Sequence, residues 1–241
     1  MLASETSMSM NVARQSGNST VWGLVLFSTL ALFAASLYAI FILAPVELQM
    51  GIVQKIFYFH VPSAYAMYIG FGVSAVGSLV YLIKRDPKWD AVGVAGAEVG
   101  TLFCLIVLLT GPLWARKAWG VWWTWDPRLT TTLLAGMIFA AYLALRSMGT
   151  AGDVEKRFAA GLAVFGLVDL PLIHYSVQRW RGVHPTVITG KGGGLEPEMY
   201  WALGLSFLAF TGLAILLIWA RVAIERQRDE TASLRFELIH R

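Results

Sequence analysis

Ala91-Val-Gly-Val-Ala-Gly-Ala-Glu98-Val-Gly100-Thr-Leu-Phe-Cys104-Leu-Ile-Val-Leu-Leu-Thr-Gly-Pro-Leu113 is a run of 23 residues containing one carboxylate, Glu98, and no Lys or Arg. At 1.5 Å per residue, a helix of that length reaches across a hydrocarbon core of roughly 30 Å. It also satisfies its own backbone there, as a segment in lipid must. Comparable runs recur at 22–43, 62–83, 129–145, 158–177 and 199–220. The expected fold is therefore all-α: a membrane protein built as a six-transmembrane-helix bundle. Composition agrees, because charged side chains make up 14% of the 241 residues, against about 25% in soluble domains. Hydrophobic side chains make up 57%, and the mean hydropathy is +0.62. A soluble enzyme is excluded.

An even number of spans puts both termini on one side of the membrane. Lys and Arg number twelve in the termini and in the second and fourth connections, against seven in the other three. The positive-inside rule then places both termini in the cytoplasm. Residues 1–21 are expected as a cytoplasmic N-terminal segment, 22–221 as the membrane domain with a short Trp-rich extracytoplasmic segment at 114–130, and 222–241 as a cytoplasmic tail. The outer connections are short and aromatic, and 52–60 reads as a short amphipathic segment before the second span. The net charge of +4 is scattered over loop ends and describes no nucleic-acid groove.

Several chemistries lack their residues. One cysteine, Cys104, allows no intramolecular disulfide, CxxC pair or four-thiolate zinc site. There is no CxxCH for covalent haem. Thr189-Gly190-Lys191-Gly192 lacks the upstream Gly and the following Ser or Thr of a Walker A loop, so no ATPase domain is encoded.

Five of the ten tryptophans, Trp114, Trp119, Trp122, Trp123 and Trp125, fall within twelve positions. An interfacial belt accounts for single tryptophans but does not require five together. On a continuous helix Trp119, Trp122 and Trp123 would share one face, an indole surface suited to a flat, apolar or cationic ligand. Asp126-Pro127 reads as an N-cap followed by Pro at N1. Arg128, in the first turn of the next helix, opposes the macrodipole, which an anionic partner would explain.

Of the four histidines, His60 and His184 border outer connections on either side of the Trp-rich one, whereas His240 lies at the cytoplasmic C-terminus. Two imidazoles flanking indoles could supply axial ligands to a planar metal macrocycle, and haem is the ligand that uses all of these features. Its two propionates would find Lys55, Arg128, Arg179 and Arg181, each of which also reads as a solvated loop charge. A zinc site wants three or four clustered ligands. Within the spans, Glu98 reads as protonated or hydrogen-bonded inside the close-packing pattern Gly96-x-x-x-Gly100. Asp169-Leu-Pro171 should kink the fifth helix, with Asp169 bonding freed amides or His174.

Trp119-Gly-Val-Trp122-Trp123-Thr-Trp125-Asp126-Pro127-Arg128-Leu-Thr130 resembles the WWD signature of the haem-handling proteins of cytochrome c maturation. Phe59-His60-Val61-Pro62 before the second span, and Asp169-Leu-Pro171 leading to Ser176-Val177 before His184, make the chain most similar, over 22–221, to the CcmC family of haem exporters or haem lyases. The resemblance implies haem b, bound non-covalently at the outer surface of a bacterial inner membrane. It lies against Trp114, Trp119, Trp122, Trp123, Trp125 and Asp126, with His60 and His184 as axial ligands and Lys55 and Arg128 as candidate propionate partners. It further implies delivery to the haem chaperone CcmE, which becomes covalently attached to a haem vinyl with the small subunit CcmD assisting. The ABC components CcmA and CcmB would then release the loaded chaperone. The chain departs from the family pattern at Arg179-Trp180 and Val183-His184-Pro185, where Trp-Trp and Leu-His-Gln are usual, and at Lys55, where Arg is expected.

Two other classes fit less well. A b-type electron-transfer subunit needs His pairs inside the spans, and only His174 lies in one. A general solute transporter would show inverted repeats with paired broken helices, and none is evident.

Overall fold

The computed structural model describes residues 2–148, 152–180 and 194–239. Among them there are six long helices and no strand: α1 (Leu2–Tyr38), α2 (Phe57–Lys84), α3 (Pro87–Trp119), α4 (Pro127–Ser147), α5 (Asp153–Trp180) and α6 (Pro197–Ile239). Each is long and apolar enough to cross a membrane. The expected bundle is what forms, with longer helices at both margins. The polar residues before 22 continue α1, and those after 221 continue α6.

Segment 52–60 is not separate from the second span. A 3-10 turn, Ile52–Ile56, runs directly into α2, which starts at Phe57, so His60 lies in the first turn of that helix. Pro62 sits inside α2 near its N-terminus, where a missing amide forfeits one early hydrogen bond.

Helices α2 and α3 pack antiparallel, Gly70 meeting Gly100 and Gly77 meeting Gly93, and so do α4 and α5, Arg128 meeting His174 and Phe139 meeting Gly166. The tightest pair is α2 against α3, which meet through Gly70, Ser74 and Gly77 on one side and Gly93, Gly96 and Gly100 on the other. A Cβ on Gly70 would lie 2.4 Å from the Gly100 amide nitrogen, and one on Gly96 would lie 2.5 Å from that of Ser74. Small residues permit this approach, and in lipid close packing is what holds helices together. Phe71 of α2 and Phe139 of α4 stack at 3.8 Å, next to the buried Met67, Phe103, Cys104 and Tyr142. Helix α1 leans on α6 through a buried Ser36–Ser206 hydrogen bond of 2.8 Å.

One end of the bundle is charged. Asp86 caps α3, its carboxylate accepting the Lys88 amide at 2.9 Å. Buried Asp90 accepts from Arg146 of α4 at 2.8 Å and pairs with Lys156 of α5 at 3.5 Å, tying three helix ends together. The other end carries His60, the Trp-rich connection and the start of α4.

Of the two intramembrane acids, Glu98 is hydrogen-bonded, one of the two states expected of it. Gly96 and Gly100 do mediate close packing, and the Glu98 carboxylate accepts a bidentate pair of hydrogen bonds from Arg221 of α6, from Nε and, at 2.5 Å, from the second guanidinium nitrogen. Arg221→Met should cost about 2 kcal/mol in detergent thermal unfolding, below the roughly 3–5 kcal/mol of a fully buried pair because both side chains keep some exposure. Glu98→Gln/Arg221→Met should cost less than the single change, since no charge is left orphaned. Helix α5 runs unbroken through Pro171. Asp169 is 4% exposed, and neither carboxylate oxygen has a hydrogen-bond partner among the described residues. His174 turns outward, edge-on to Tyr175 at 5.0 Å.

Candidate functional site

Gly120 decides the shape of the Trp-rich connection. At φ +76 it adopts the left-handed conformation that only glycine takes without strain, and it ends α3 directly after Trp119. The chain is then irregular up to Asp126. The single indole face expected from Trp119, Trp122 and Trp123 therefore does not form. Instead, Trp114 and Trp119 make one edge-to-face pair at 5.5 Å on the last turns of α3, and Trp123 and Trp125 make another at 5.9 Å beyond it. Trp122 is 56% and Trp125 76% exposed. Arg116, a residue the sequence pattern did not distinguish, donates to the Gly120 carbonyl and lies over the Trp122 ring at 6.0 Å, clipping the turn from below.

Asp126 is the N-cap the sequence predicts. Its carboxylate accepts the Arg128 amide at 2.9 Å, and Pro127 opens α4. The Arg128 guanidinium reaches α5, donating to the carbonyls of Ile173 at 3.4 Å and His174 at 3.3 Å. These are long contacts for a cation, which bonds a carboxylate at about 2.7–2.9 Å. Between the tryptophans and the cap, Trp123 Nε1 and Thr124 Oγ1 are buried, and neither has a hydrogen-bond partner among the described residues.

His60 is held by α3. Its Nδ1 is 2.8 Å from Thr110 Oγ1, which itself donates to the Ile106 carbonyl at 2.7 Å. The ring edge lies against Gly111, where a Cβ would come within 3.3 Å of His60 Cε1. Thr110 is one turn before Trp114 on α3, so His60 is anchored beside the first tryptophan. Thr110 and Gly111 could not be picked out from the sequence, because they meet His60 across 50 residues of chain.

Lys55 points inward, where the sequence reading would turn it toward a propionate. It is 4% exposed, and its ammonium donates to the carbonyls of Ile40, Ala44 and Pro45 at 2.6, 2.7 and 3.3 Å. Beside it the 47–51 turn closes with the Gly51 amide on the Glu47 carbonyl. Amides of Met50 and Gln49 hold the Glu47 carboxyl below the usual carboxylate range. Arg179 is exposed. His184, Arg181 and His240 lie outside the described residues.

The site thus offers exposed indoles, a fixed imidazole, and two buried donors that lack an acceptor among the described residues. Orphaned buried donors carry a desolvation penalty of about 1–3 kcal/mol each, which a carboxylate-bearing ligand would relieve. A macrocycle that brings four nitrogens to its iron needs only axial ligands from the chain. These residues fit haem as cargo.

The chain matches the family model described as "Heme exporter protein C" over residues 4–236. It is 36% identical over 213 residues to the Heme exporter protein C of Bradyrhizobium diazoefficiens, covering 86% of this chain and 80% of that protein. It is 33% identical over 189 residues to the Heme exporter protein C of Escherichia coli K12, covering 77% and 74%. A putative cytochrome c biosynthesis ccmC-like mitochondrial protein of Marchantia polymorpha is 32% identical over 191 residues, covering 77% and 81%. A match that spans all six membrane helices and the Trp-rich connection between α3 and α4 places this chain in the CcmC, heme exporter protein C, family.

Proposed function

We propose that this multi-pass inner-membrane protein handles haem for cytochrome c maturation. In this reading it holds haem b non-covalently at the extracytoplasmic surface, with both termini in the cytoplasm, and delivers it to the chaperone CcmE. The observation that carries the reading is His60, fixed through Nδ1 on Thr110 one turn from Trp114. A ring held through Nδ1 coordinates through Nε2, and a hydrogen bond on the far nitrogen sets both tautomer and orientation. His184 supplies the opposite axial ligand.

The work of the chain is positional. Exposed Trp122 and Trp125 lie against the macrocycle, while Trp114, Trp119 and Trp123 build the shelf beneath them. Trp123 Nε1, Thr124 Oγ1 and Arg128 take the propionates, Arg128 by leaving its long contacts on α5. Asp126 keeps the connection and the start of α4 in register by capping. Haem supplies the reactive vinyl; the chain supplies orientation. CcmD assists the transfer, and CcmA with CcmB supplies the ATP-driven release that this chain has no motif for. The b-type electron-transfer alternative would need ligand pairs between helices, whereas His174 faces outward beside Tyr175.

The test is haem content and chaperone loading with purified components. Wild-type protein should carry haem and load CcmE. Trp122→Ala should keep the haem spectrum and lose most of the loading. Asp126→Ala, which removes a cap worth about 1 kcal/mol, should also impair loading, and Asp126→Asn, which still caps, should restore it. Wild-type protein that neither carries nor takes up haem overturns the reading.

A further inference from the structure

We propose that Lys55 serves the haem site through His60, as a positioning residue that locks the start of α2 onto the end of α1, and that it does not bind a haem carboxylate. The inference rests on the reading of His60 as an iron ligand.

The reason begins at the end of α1. This helix finishes in a π-helical turn, Ala39–Leu43, closed by the Ala44 amide on the Ala39 carbonyl at 2.8 Å. In a π turn each carbonyl bonds the amide five residues on. For Ile40 that residue is Pro45, which has no N–H. The carbonyl is left without its donor at a place where no water-exposed surface compensates, since Ile40 is fully buried. Lys55 Nζ fills the gap, 2.6 Å from the Ile40 carbonyl, and takes the Ala44 and Pro45 carbonyls as well. An ammonium has three donors and no acceptor, so these three contacts account for all of them. A cation at a helix C-terminus is also favoured by the macrodipole. Tyr58, Met199, Ala202 and Leu203 pack with Ala39, Ile40 and Ala44 to seal the junction.

His60 is five residues further along the same rigid run of 3-10 turn and helix. Lys55 fixes that run to α1, and Thr110 fixes the imidazole to α3, so the ring is located from two sides. A carboxylate could reach Nζ only by stripping it from buried carbonyls, which would then be orphaned.

The experiment compares haem with haem dimethyl ester, whose carboxylates are blocked, on the full-length protein in detergent. Lys55→Met should weaken both ligands alike, by about tenfold at most, because it reaches His60 only through the intervening run of chain whereas a direct outer-shell partner of a metal ligand is worth about 10–100-fold. The acid-to-ester affinity ratio should stay at the wild-type value, and the low-spin spectrum should shift toward high spin. In a His60→Ala background the same change should do nothing further to either ligand, because it acts through a ring that is no longer there. Should Lys55→Met fail to accumulate, Lys55→Arg keeps the charge in a buried site shaped for an ammonium. It should lower the low-spin fraction at an unchanged acid-to-ester ratio. Loss of affinity for haem alone with the ester unaffected, an additive loss in the His60→Ala background, or wild-type affinity and spectrum in Lys55→Met each overturns the proposal. If His60→Ala itself leaves the spectrum unchanged, it is the ligand reading that falls instead.

Discussion

Gly100→Leu is expected to leave no correctly folded protein in the membrane. A Cβ there already lies 2.4 Å from the Phe71 ring and 2.8 Å from the Phe71 amide nitrogen, and Gly70 on the facing helix approaches the Gly100 backbone just as closely. A backbone cannot turn aside as a long side chain can, so the whole α2–α3 interface must open. Overpacking a core costs about 1–3 kcal/mol where side chains can adjust, and a leucine driven against both the Phe71 ring and the Phe71 backbone exceeds that range. The damage would reach the proposed haem site too, because α2 carries His60 and α3 carries Thr110 and Trp114. Gly72→Leu on the facing helix α2 is the control: nothing lies within 4 Å of a Cβ at that position. Size-exclusion profiles and thermal unfolding of both variants in detergent decide the matter, and a Gly100→Leu protein that melts like wild type would refute the packing account.

His60→Ala carries the second large effect. Removing an outer-shell partner of a metal ligand typically costs about 10–100-fold in affinity, so losing the ligand itself should cost at least about 100-fold and abolish the low-spin spectrum. Thr110→Val keeps the shape of the partner and removes its oxygen. It should leave the ligand in place but misaligned, with an intermediate loss of about tenfold. His184→Ala should match His60→Ala if both imidazoles reach one iron. Haem absorbance that survives unchanged in His60→Ala/His184→Ala protein would contradict the assignment outright.

Local signals were readable from the residues alone. The Asp126-Pro127 helix start follows from capping chemistry confined to neighbouring residues. The Gly96–Gly100 pair shows its close approach by lacking side chains. The Trp-rich connection was legible as a site but not as a shape, because treating it as continuous helix ignored Gly120, whose left-handed φ breaks the expected indole face in two. Lys55 illustrates the limit on the site itself. Its position before His60 reads as an outward cation, and only knowing that the α1 terminus folds back beside it reveals three carbonyls waiting for a donor.

The residue order by itself determined six lipid-crossing helices, the Asp126 cap of the fourth, and a concentration of indoles and imidazole at one end, since each of these depends on contacts within a few residues or on partition between water and lipid. Only the tertiary structure decided that Glu98 meets Arg221, that His60 rests on Thr110, that the Asp169 carboxylate is buried, and that Lys55 closes the end of α1. The physical reason is that hydrocarbon is as apolar as the bundle interior: hydrophobicity places a helix in the membrane but leaves its rotation undetermined, and rotation fixes which polar side chains meet.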